Sequence, residues 1–434
     1  MKATKPLILL TACLMATLAC NETGGDKPGK IDDSITIASP TPTQQISKVS
    51  LTTQQQGYVD AGNRMAFRLL QKLYEGESII CSPLSLQYAL AMTANGASGE
   101  TLQEIIDFLG YGQDGIDALN AYSKLMLNQL PAVDLDVALK LTDALLVNAD
   151  KYTLLPAFKQ TVEGNYYAAA ENMSFVSPEQ IAARINDWAK RNTESFLDKV
   201  MDPQDISINS AAFLMNALYF KARWAGSDDD PMFLKDGTQD EKFTRTDGST
   251  VQVPMMNTSG LFGYAQKDGY KVLALPYANG KFFMYFLLPD SKDPTQLLSL
   301  LPTLSWNDLT SSLTRNAEVF VRLPKFDLEN KYELKPTLSA LGIQKAFSPL
   351  EAVFDRMLNP YNGFYVGSVI QKAKISVAEW GTEAAAVTVV SIRDYAVAPG
   401  EYPKIYFYAD HPFAFVIGEA TSGAILFEGI YTGK

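Results

Sequence analysis

The chain has 434 residues, of which 47% are hydrophobic and 20% are charged. These proportions are typical of a globular protein that buries a large core, and they exclude a disordered body. The net charge of -11 opposes binding to nucleic acid and to anionic lipid headgroups. With one histidine and three cysteines in the whole sequence, most metal sites and catalytic sets that use these residues are excluded.

The N-terminus has the pattern of an export signal. Two lysines precede an apolar stretch, residues 6–19, that is too short to span a bilayer comfortably. The stretch ends in Thr-Leu-Ala before Cys20, which resembles the lipobox of bacterial lipoproteins, where cleavage leaves a lipid-modified cysteine at the new N-terminus. The sequence Leu-Thr-Ala before Cys13 is locally the better lipobox match, but the apolar run before Cys13 is too short and a further apolar run follows it. We expect a signal peptide at residues 1–19 and lipidation at Cys20; the alternative is ordinary cleavage and secretion without lipid.

Residues 20–50 form the predicted linker between this lipid and the folded body. They are rich in Gly, Pro, Ser, Thr, Asp and Gln and have no apolar period, which is typical of a flexible spacer. No low-complexity segment divides residues 51–434, so we expect one domain there. The predicted location is the bacterial cell envelope. Cys81, the only thiol of that domain, follows two isoleucines and is interpreted as a buried small hydrophobe rather than a reactive group.

The body has a helical first third and a β-rich remainder, which predicts an α+β fold. Apolar residues at helical spacing predict helices, with Ser82 as the N-cap of the second, over residues 57–74, 83–94, 102–109, 116–130 and 178–197. Runs of β-branched, aromatic and aliphatic residues predict strands over residues 211–220, 251–256, 271–275, 282–288, 317–323, 405–408, 413–417 and 425–430.

Motifs for chemistry are absent from the sequence. It has no nucleotide-binding glycine fingerprint and no zinc-protease motif. The acidic run at residues 228–230 fits a solvated loop better than a cation site. His411 precedes Pro412 and a buried strand, so we interpret it as a structural hydrogen-bonding residue rather than a general base. We therefore expect no metal, no cofactor and no enzymatic activity.

Residues 379–392 are unusual, because small residues and then β-formers follow one another with no turn signal before residues 399–400. The pattern fits an ordinary strand followed by a loop, or an exposed loop. In a strand, one face would carry only small or apolar residues: Thr382, Ala384, Ala386, Thr388, Val390 and Ile392.

This segment, Glu-Trp-Gly-Thr-Glu-Ala-Ala-Ala at residues 379–386, is similar to the hinge of the serpin family, Glu-Glu-Gly-Thr-Glu-Ala-Ala-Ala, and departs from it at Trp380. The resemblance extends from about residue 57 to the C-terminus. Further similar motifs, in family order, lie at residues 82–85, 185–188, 216–224, 253–256, 323–326, 371–373 and 410–413.

The resemblance implies a fold of three β-sheets with eight or nine helices and an exposed reactive-centre loop. It also implies a mechanism, in which a target protease cuts the loop, stays covalently attached, and is carried away when the hinge inserts into the large sheet as a new strand. The expected partner is a serine endopeptidase, or alternatively a cysteine endopeptidase, bound to a monomer. The hinge comprises Glu379, Gly381, Thr382, Glu383, Ala384, Ala385 and Ala386.

An inhibitor is favoured over a non-inhibitory binding protein of the same fold. Non-inhibitory members often have bulky, charged or proline residues in the hinge, whereas here Thr382, Ala384 and Ala386 are small and no proline lies between residues 381 and 398. We expect the whole loop, including Thr382, to be exposed in the intact protein.

The resemblance also implies two further sets of residues. By the family's usual spacing from Glu379, the reactive bond joins Tyr395 and Ala396, which suits chymotrypsin-like proteases; the competing bond, Arg393–Asp394, suits trypsin-like ones. Where many members have a histidine that bonds the central strand's asparagine, this chain has Gln371. Because glutamine both donates and accepts, a contact with Asn216 is still expected. The sheet-opening cluster is Ser82, Ser85, Asn216, Gln371 and Trp224.

Overall fold

Residues 41–112, 114–361, 363–382 and 402–434 are described by a computed structural model, and all belong to the unit Ile37–Lys434. In these ranges, no helix is both long and apolar enough to cross a membrane. Several predicted features lie outside the described residues: the signal peptide, most of the linker, Cys20, Glu383, Ala384, Ala385, Ala386, Arg393, Asp394, Tyr395 and Ala396.

The described residues contain nine α-helices, in agreement with the expected eight or nine. Their order is α1 (Thr53–Leu73), α2 (Pro83–Ala94), α3 (Gly99–Phe108), α4 (Gly115–Gln129), α5 (Pro156–Tyr166), α6 (Pro178–Asn192), α7 (Thr295–Leu300), α8 (Trp306–Ser311) and α9 (Lys335–Leu341). The predicted helices all form. Helix α6 ends five residues earlier than predicted, because Glu194 and Ser195 adopt positive φ angles of 51° and 69° that a helix cannot continue through.

The strands alternate with the helices and then dominate the second half of the chain. They are β1 (Ile79–Cys81), β2 (Ala138–Asn148), β3 (Thr153–Leu154), β4 (Ala169–Met173), β5 (Ala212–Arg223), β6 (Gln239–Thr244), β7 (Thr250–Gly260), β8 (Gly263–Lys267), β9 (Tyr270–Pro276), β10 (Phe282–Pro289), β11 (Glu318–Pro324), β12 (Phe326–Glu333), β13 (Leu358–Asn359), β14 (Ile370–Ala378), β15 (Gly381–Thr382), β16 (Lys404–Tyr408), β17 (Phe413–Glu419) and β18 (Ile425–Tyr431). All eight predicted strands are confirmed, whereas β2, β12 and β14 are long strands that the sequence patterns did not predict.

Three large sheets organise the molecule, which confirms the predicted fold class. Sheet A has the order β12-β14-β15-β5-β2-β4, sheet B has the order β1-β18-β17-β10-β9-β8, and sheet C has the order β16-β11-β7-β6. Strands β3 and β13 form a small separate pair. Sheet B is the apolar centre, since every residue of β17 and β18 is buried.

Among the described residues, the pairing of sheet A is incomplete in its middle. Strands β5 and β14 each pair with β15, which has only two residues, and no register of the described strands pairs β5 directly with β14. We call the space between β5 and β14 the central gap. Helix α6 lies over this sheet and is tied to β4 by Arg184, which donates two hydrogen bonds of 3.1 and 2.6 Å to Glu171.

Candidate functional site

The hinge begins inside sheet A and not in solvent. Gly381 pairs with Ala378 of β14 on one side and with Arg223 of β5 on the other, and Thr382 continues the insertion by one residue. Only 2% of Thr382 is exposed. The expectation that the loop is exposed through Thr382 is therefore wrong at its first two residues, which are already part of the sheet.

Glycine is required at the point where the chain enters the sheet. Gly381 has a φ of +147°, a conformation that other residues rarely adopt. A Cβ at this position would also collide with the carbonyl oxygen of Ala222 and the Cα of Arg223. The chain can come this close to β5 only because Gly381 has no side chain.

A buried hydrogen bond explains why Thr382 is held in the sheet. Its hydroxyl lies 2.5 Å from the hydroxyl of Tyr277. The Tyr277 ring stacks on Trp224 with 4.5 Å between centroids, and Trp224 Nε1 donates to the carbonyl of Ala378 at 2.8 Å. Burial raises the pKa of Tyr277 far above its ordinary value, and this outweighs the opposing effect of the Thr382 hydroxyl, so the phenol stays protonated and neutral. Thr382 is small enough to fit in this apolar environment, and its hydroxyl and the Tyr277 hydroxyl satisfy each other's hydrogen-bonding needs.

Glu379 fixes the chain just before the hinge. Its carboxylate accepts a hydrogen bond of 2.8 Å from the Thr238 hydroxyl and pairs with Lys325 at 3.1 Å. Burial alone would raise the pKa of Glu379, but its own backbone N–H, Thr238 and Lys325 together hold it below the ordinary value. Trp380 is the residue at which this chain differs from the family's hinge motif. Its carbonyl accepts a hydrogen bond of 3.1 Å from the backbone N–H of Trp224, so Trp380 also helps to fix the chain before the hinge.

Two clefts mark the central gap below Thr382. The upper cleft is lined by Phe220 of β5, Ile375 of β14 and Thr382 itself. The lower cleft lies where residues 213–216 of β5 face α6 and the start of β14. The path on which a further strand would continue from Thr382 is thus lined mainly by apolar side chains.

Members of the predicted sheet-opening cluster have different hydrogen-bond partners in the described residues. Gln371 accepts from the backbone N–H of Ser82 at 3.1 Å and donates to the Ser82 carbonyl at 2.8 Å. Ser82 lies at the N-cap position of α2, but its hydroxyl donates to the carbonyl of Leu426 at 3.0 Å and does not cap the helix. Ser85 is buried one turn along α2. Trp224 lies beside the hinge, where its Nε1 donates to the carbonyl of Ala378.

The expected contact between Gln371 and Asn216 is not formed. The Gln371 amide is matched by one backbone N–H and one backbone carbonyl of Ser82, which satisfies both of its polar ends. Asn216 instead donates to Asp143 of β2 at 2.5 Å. The expected contact between Gln371 and Asn216 is therefore wrong, whereas Gln371 and Ser82, two members of the predicted cluster, do contact each other.

Asp143 is a residue of this region that the sequence analysis missed. It is 2% exposed, and within the described residues its Oδ2 and the Oδ1 of Asn216 have no hydrogen-bond partner. Burial raises the pKa of Asp143 to about 7, and the amide of Asn216 offsets part of this effect. The signal was available, since Asp143 is the one acidic residue of the apolar run at residues 138–148.

The other titratable candidates have structural roles. His411 contacts the carbonyl of Pro289 and the carboxylate of Asp410 at 2.7 Å each, as the interpretation of a structural histidine predicts. Cys81 is fully buried, and burial raises the pKa of its thiol. In the described ranges no cluster of three potential metal ligands occurs, the acidic run at 228–230 included.

Comparison with known proteins identifies the family. Residues 60–432 match the family model described as Serpin (serine protease inhibitor). The chain is 33% identical to Serpin-ZXA of Oryza sativa subsp. japonica over 82% of its own length and 89% of the relative's length. This chain belongs to the serpin family.

Solved structures agree with this assignment. The native state of Tengpin, a thermophilic serpin, has a TM-score of 0.78 at 26% identity and covers 90% of this chain and 97% of its own. A complex of thyroxine-binding globulin with thyroxine has a TM-score of 0.73 at 26% identity over 86% and 98% of the two chains. From the sequence, no enzymatic activity was expected because catalytic residues are missing. This reasoning is corrected, because the family is described by what its members do, which is to inhibit serine proteases.

The buried carboxyl of Asp143 predicts a pH dependence of stability. An unfolded aspartate ionises near pH 3.9, so between pH ~4 and ~7 the unfolded state releases a proton that the folded state keeps. The free energy of unfolding should therefore fall as the pH rises through this window, by up to about 4 kcal/mol. Asp143→Asn should remove this loss, as measured by urea unfolding at a series of pH values.

Glu428→Gln provides the matched control, because burial raises the pKa of Glu428 to about 8. The difference in the free energy of unfolding between Glu428→Gln and the parent should keep growing up to pH ~8. The corresponding difference for Asp143→Asn should level off near pH ~7. A constant difference between Asp143→Asn and the parent across the range would contradict the buried, protonated state of Asp143.

Proposed function

We propose that this serpin is a suicide-substrate inhibitor of serine endopeptidases, whose cleaved loop inserts into the central gap. The observation that carries the proposal is the position of β15. Its two residues are already paired on both sides, to β14 and to β5, at the upper end of a gap whose two walls are not paired with each other. Insertion therefore needs continuation of an existing strand and not nucleation of a new one.

The physical chemistry of the gap favours that continuation. Inserting roughly a dozen residues would form about as many ladder hydrogen bonds, each with a net contribution of ~1 kcal/mol. Burial against the apolar clefts adds to this, and together the gains offset the cost of ordering the loop. A strand of about fourteen residues at ~3.3 Å each would carry an attached protease by about 45 Å.

The alternative is a serpin-fold binding protein that does not trap proteases. Thyroxine-binding globulin, whose structure was solved with thyroxine, is a structural neighbour that binds a small molecule. The hinge argues against it. Position 382 faces the interior at Tyr277, so the residues that would follow on that face are 384 and 386, both alanine. Side chains of this size enter a sheet interior without steric or desolvation cost.

We further propose that the inhibitor is anchored to the bacterial cell envelope by lipid on Cys20, with residues 20–50 as a flexible tether. The basic start, the short apolar stretch and the lipobox-like sequence support this location. The protein would then act as a monomer against endopeptidases outside the cytoplasm, where an exposed loop can be reached by a foreign protease.

The decisive experiment is incubation with chymotrypsin and, separately, with trypsin. We expect a complex that survives boiling in detergent, formed more efficiently with chymotrypsin, and a released C-terminal peptide whose mass places its first residue at Ala396. Use of the competing bond would start the peptide at Asp394. Cleavage without a stable complex would show a non-inhibitory protein, and a peptide that begins outside residues 393–398 would refute the assigned reactive bond.

Thr382→Arg should convert the inhibitor into a substrate. An unpaired guanidinium next to Tyr277 costs several kcal/mol, and ~3 kcal/mol added to the insertion barrier slows that step more than a hundredfold. Because Thr382 is buried in the intact protein, the variant should also lose the β15 pairing and melt at a somewhat lower temperature. Gel analysis should show a cut protein without complex. Insertion of the cut loop as a strand of sheet A should raise the melting temperature of the cleaved parent, and the cleaved variant should not show this rise.

Thr382→Ser is the control, since it keeps the hydroxyl that reaches Tyr277 and remains small. It should form complex as the parent does. If Thr382→Arg yields as much complex as Thr382→Ser, insertion does not begin at this residue and the proposed mechanism is wrong.

Lipid attachment is tested by expressing the full chain in a bacterium and separating membrane and soluble fractions. Cys20→Ser should move the protein to the soluble fraction and abolish incorporation of labelled palmitate. Cys13→Ser, which removes the less suitable cysteine, should leave both unchanged. Loss of label in Cys13→Ser, or retention of label in Cys20→Ser, would overturn the proposed anchor.

A further inference from the structure

The outer face of sheet C carries an ordered set of aromatic and cationic side chains. Strands β11 and β16 are parallel neighbours, and their register places Phe320 beside Tyr406 and Arg322 beside Tyr408. The alternate residues of the same two strands, Val319, Val321 and Phe407, are buried on the opposite face. We call the outward set, which consists of Phe320, Arg322, Lys404, Tyr406 and Tyr408, the aromatic ladder.

Contacts within the ladder hold its rings in place. The ring centroids of Phe320 and Tyr406 are 5.4 Å apart, and those of Tyr406 and Tyr408 are 5.6 Å apart. The Arg322 guanidinium lies 4.5 Å from the Tyr408 centroid, and the Lys404 ammonium lies 5.5 Å from the Phe320 centroid. Arg322 also pairs with Glu241 at 2.9 Å. Each ring therefore has a neighbour that limits its motion before any partner arrives.

Core packing does not require these aromatic residues. Tyr406 is 51% exposed, and the inward residues of the same strands already complete the buried face. Large, pre-ordered rings with an adjacent arginine are the composition found at the centres of protein interfaces, because they bury much area at little cost in side-chain entropy. The ladder is therefore fitted for contact with another protein.

The position of the ladder in the chain indicates which partner protein it would contact. Strand β16 begins at Lys404, eight residues after the proposed first residue of the cleaved peptide, Ala396. Eight residues span at most about 28 Å even when fully extended, which is no more than the diameter of a small domain. The body of a protease that holds the loop at Tyr395 must therefore lie within reach of the ladder.

We propose that the aromatic ladder is a second contact surface for the target protease and meets the rim of the cleft that receives the residues after the cleaved bond. The inference rests on the proposed inhibitory function. The rings supply apolar contact, and Arg322 and Lys404 supply donors for the carbonyl groups of that rim. The contact accelerates the first encounter between the two proteins and takes no part in insertion.

The test measures two quantities with chymotrypsin and with trypsin: the second-order association rate constant and the number of inhibitor molecules consumed per protease trapped. Tyr406→Ala should lower the association rate about tenfold, the equivalent of ~1.4 kcal/mol, and leave the stoichiometry unchanged. Tyr406→Phe should keep most of the rate. Tyr361→Ala removes a similarly exposed tyrosine, 39% accessible, outside sheet C and should have no effect.

The outcomes separate the two proposals. If the parent traps protease and Tyr406→Ala does so at the same rate, the second contact surface is refuted while the inhibitory function stands. If Tyr406→Ala raises the stoichiometry, the ladder acts on insertion and the inference is equally refuted. If the parent forms no covalent complex with either protease, the inhibitory function fails and this inference fails with it.

Discussion

The incomplete pairing of sheet A is the constraint on which the rest of the structure depends. Strands β5 and β14 lie in the middle of a six-stranded sheet, yet within the described residues only the two residues of β15 connect them through a ladder. Backbone N–H and C=O groups are strong hydrogen-bonding groups, and a strand edge with unused groups is a template for another strand. In the part of the hinge that the structure describes, Gly381 and Thr382 use that template, and Gly381 allows the close approach.

Two polar contacts beside the central gap do not tie its two walls together. Gln371 attaches β14 to the start of α2, and Asn216 attaches β5 to Asp143 of β2. A histidine at position 371 bonded to Asn216, as in many family members, would cross the gap. Here those two bonds each lie on one side, so separating β5 from β14 breaks neither of them. Under the proposed mechanism, the departure at Gln371 would thus remove one obstacle to insertion, whereas the buried Asp143 places a proton-dependent group in the adjoining strand pair.

The sequence predicted what local patterns and family motifs encode. Strands such as β10 are continuous apolar runs and were recognisable directly. Strands β12 and β14 were not, because the outward faces of β12 (Asp, Glu, Lys) and of β14 (Lys, Ser) are largely polar, and the buried face of β14 includes Gln371, which dilutes the apolar signal. The buried insertion of Thr382 could not be predicted either. It depends on Tyr277, 105 residues away, and on a stacking partner, Trp224, that the resemblance had assigned to a different cluster.

The same dependence on long-range register applies to the aromatic ladder, and its proposed use limits how tightly it can bind. The ladder is fixed to the body of the inhibitor, whereas the inserted loop would carry the protease about 45 Å away. Any free energy gained at the ladder is lost when the protease departs, and each ~1.4 kcal/mol of it that is already lost at the transition state slows departure tenfold. Slow departure favours hydrolysis of the acyl bond and release of the protease. A useful second contact must therefore be modest, and a few half-exposed rings beside Arg322, a residue already partly engaged by Glu241, meet that requirement better than a deep apolar pocket would.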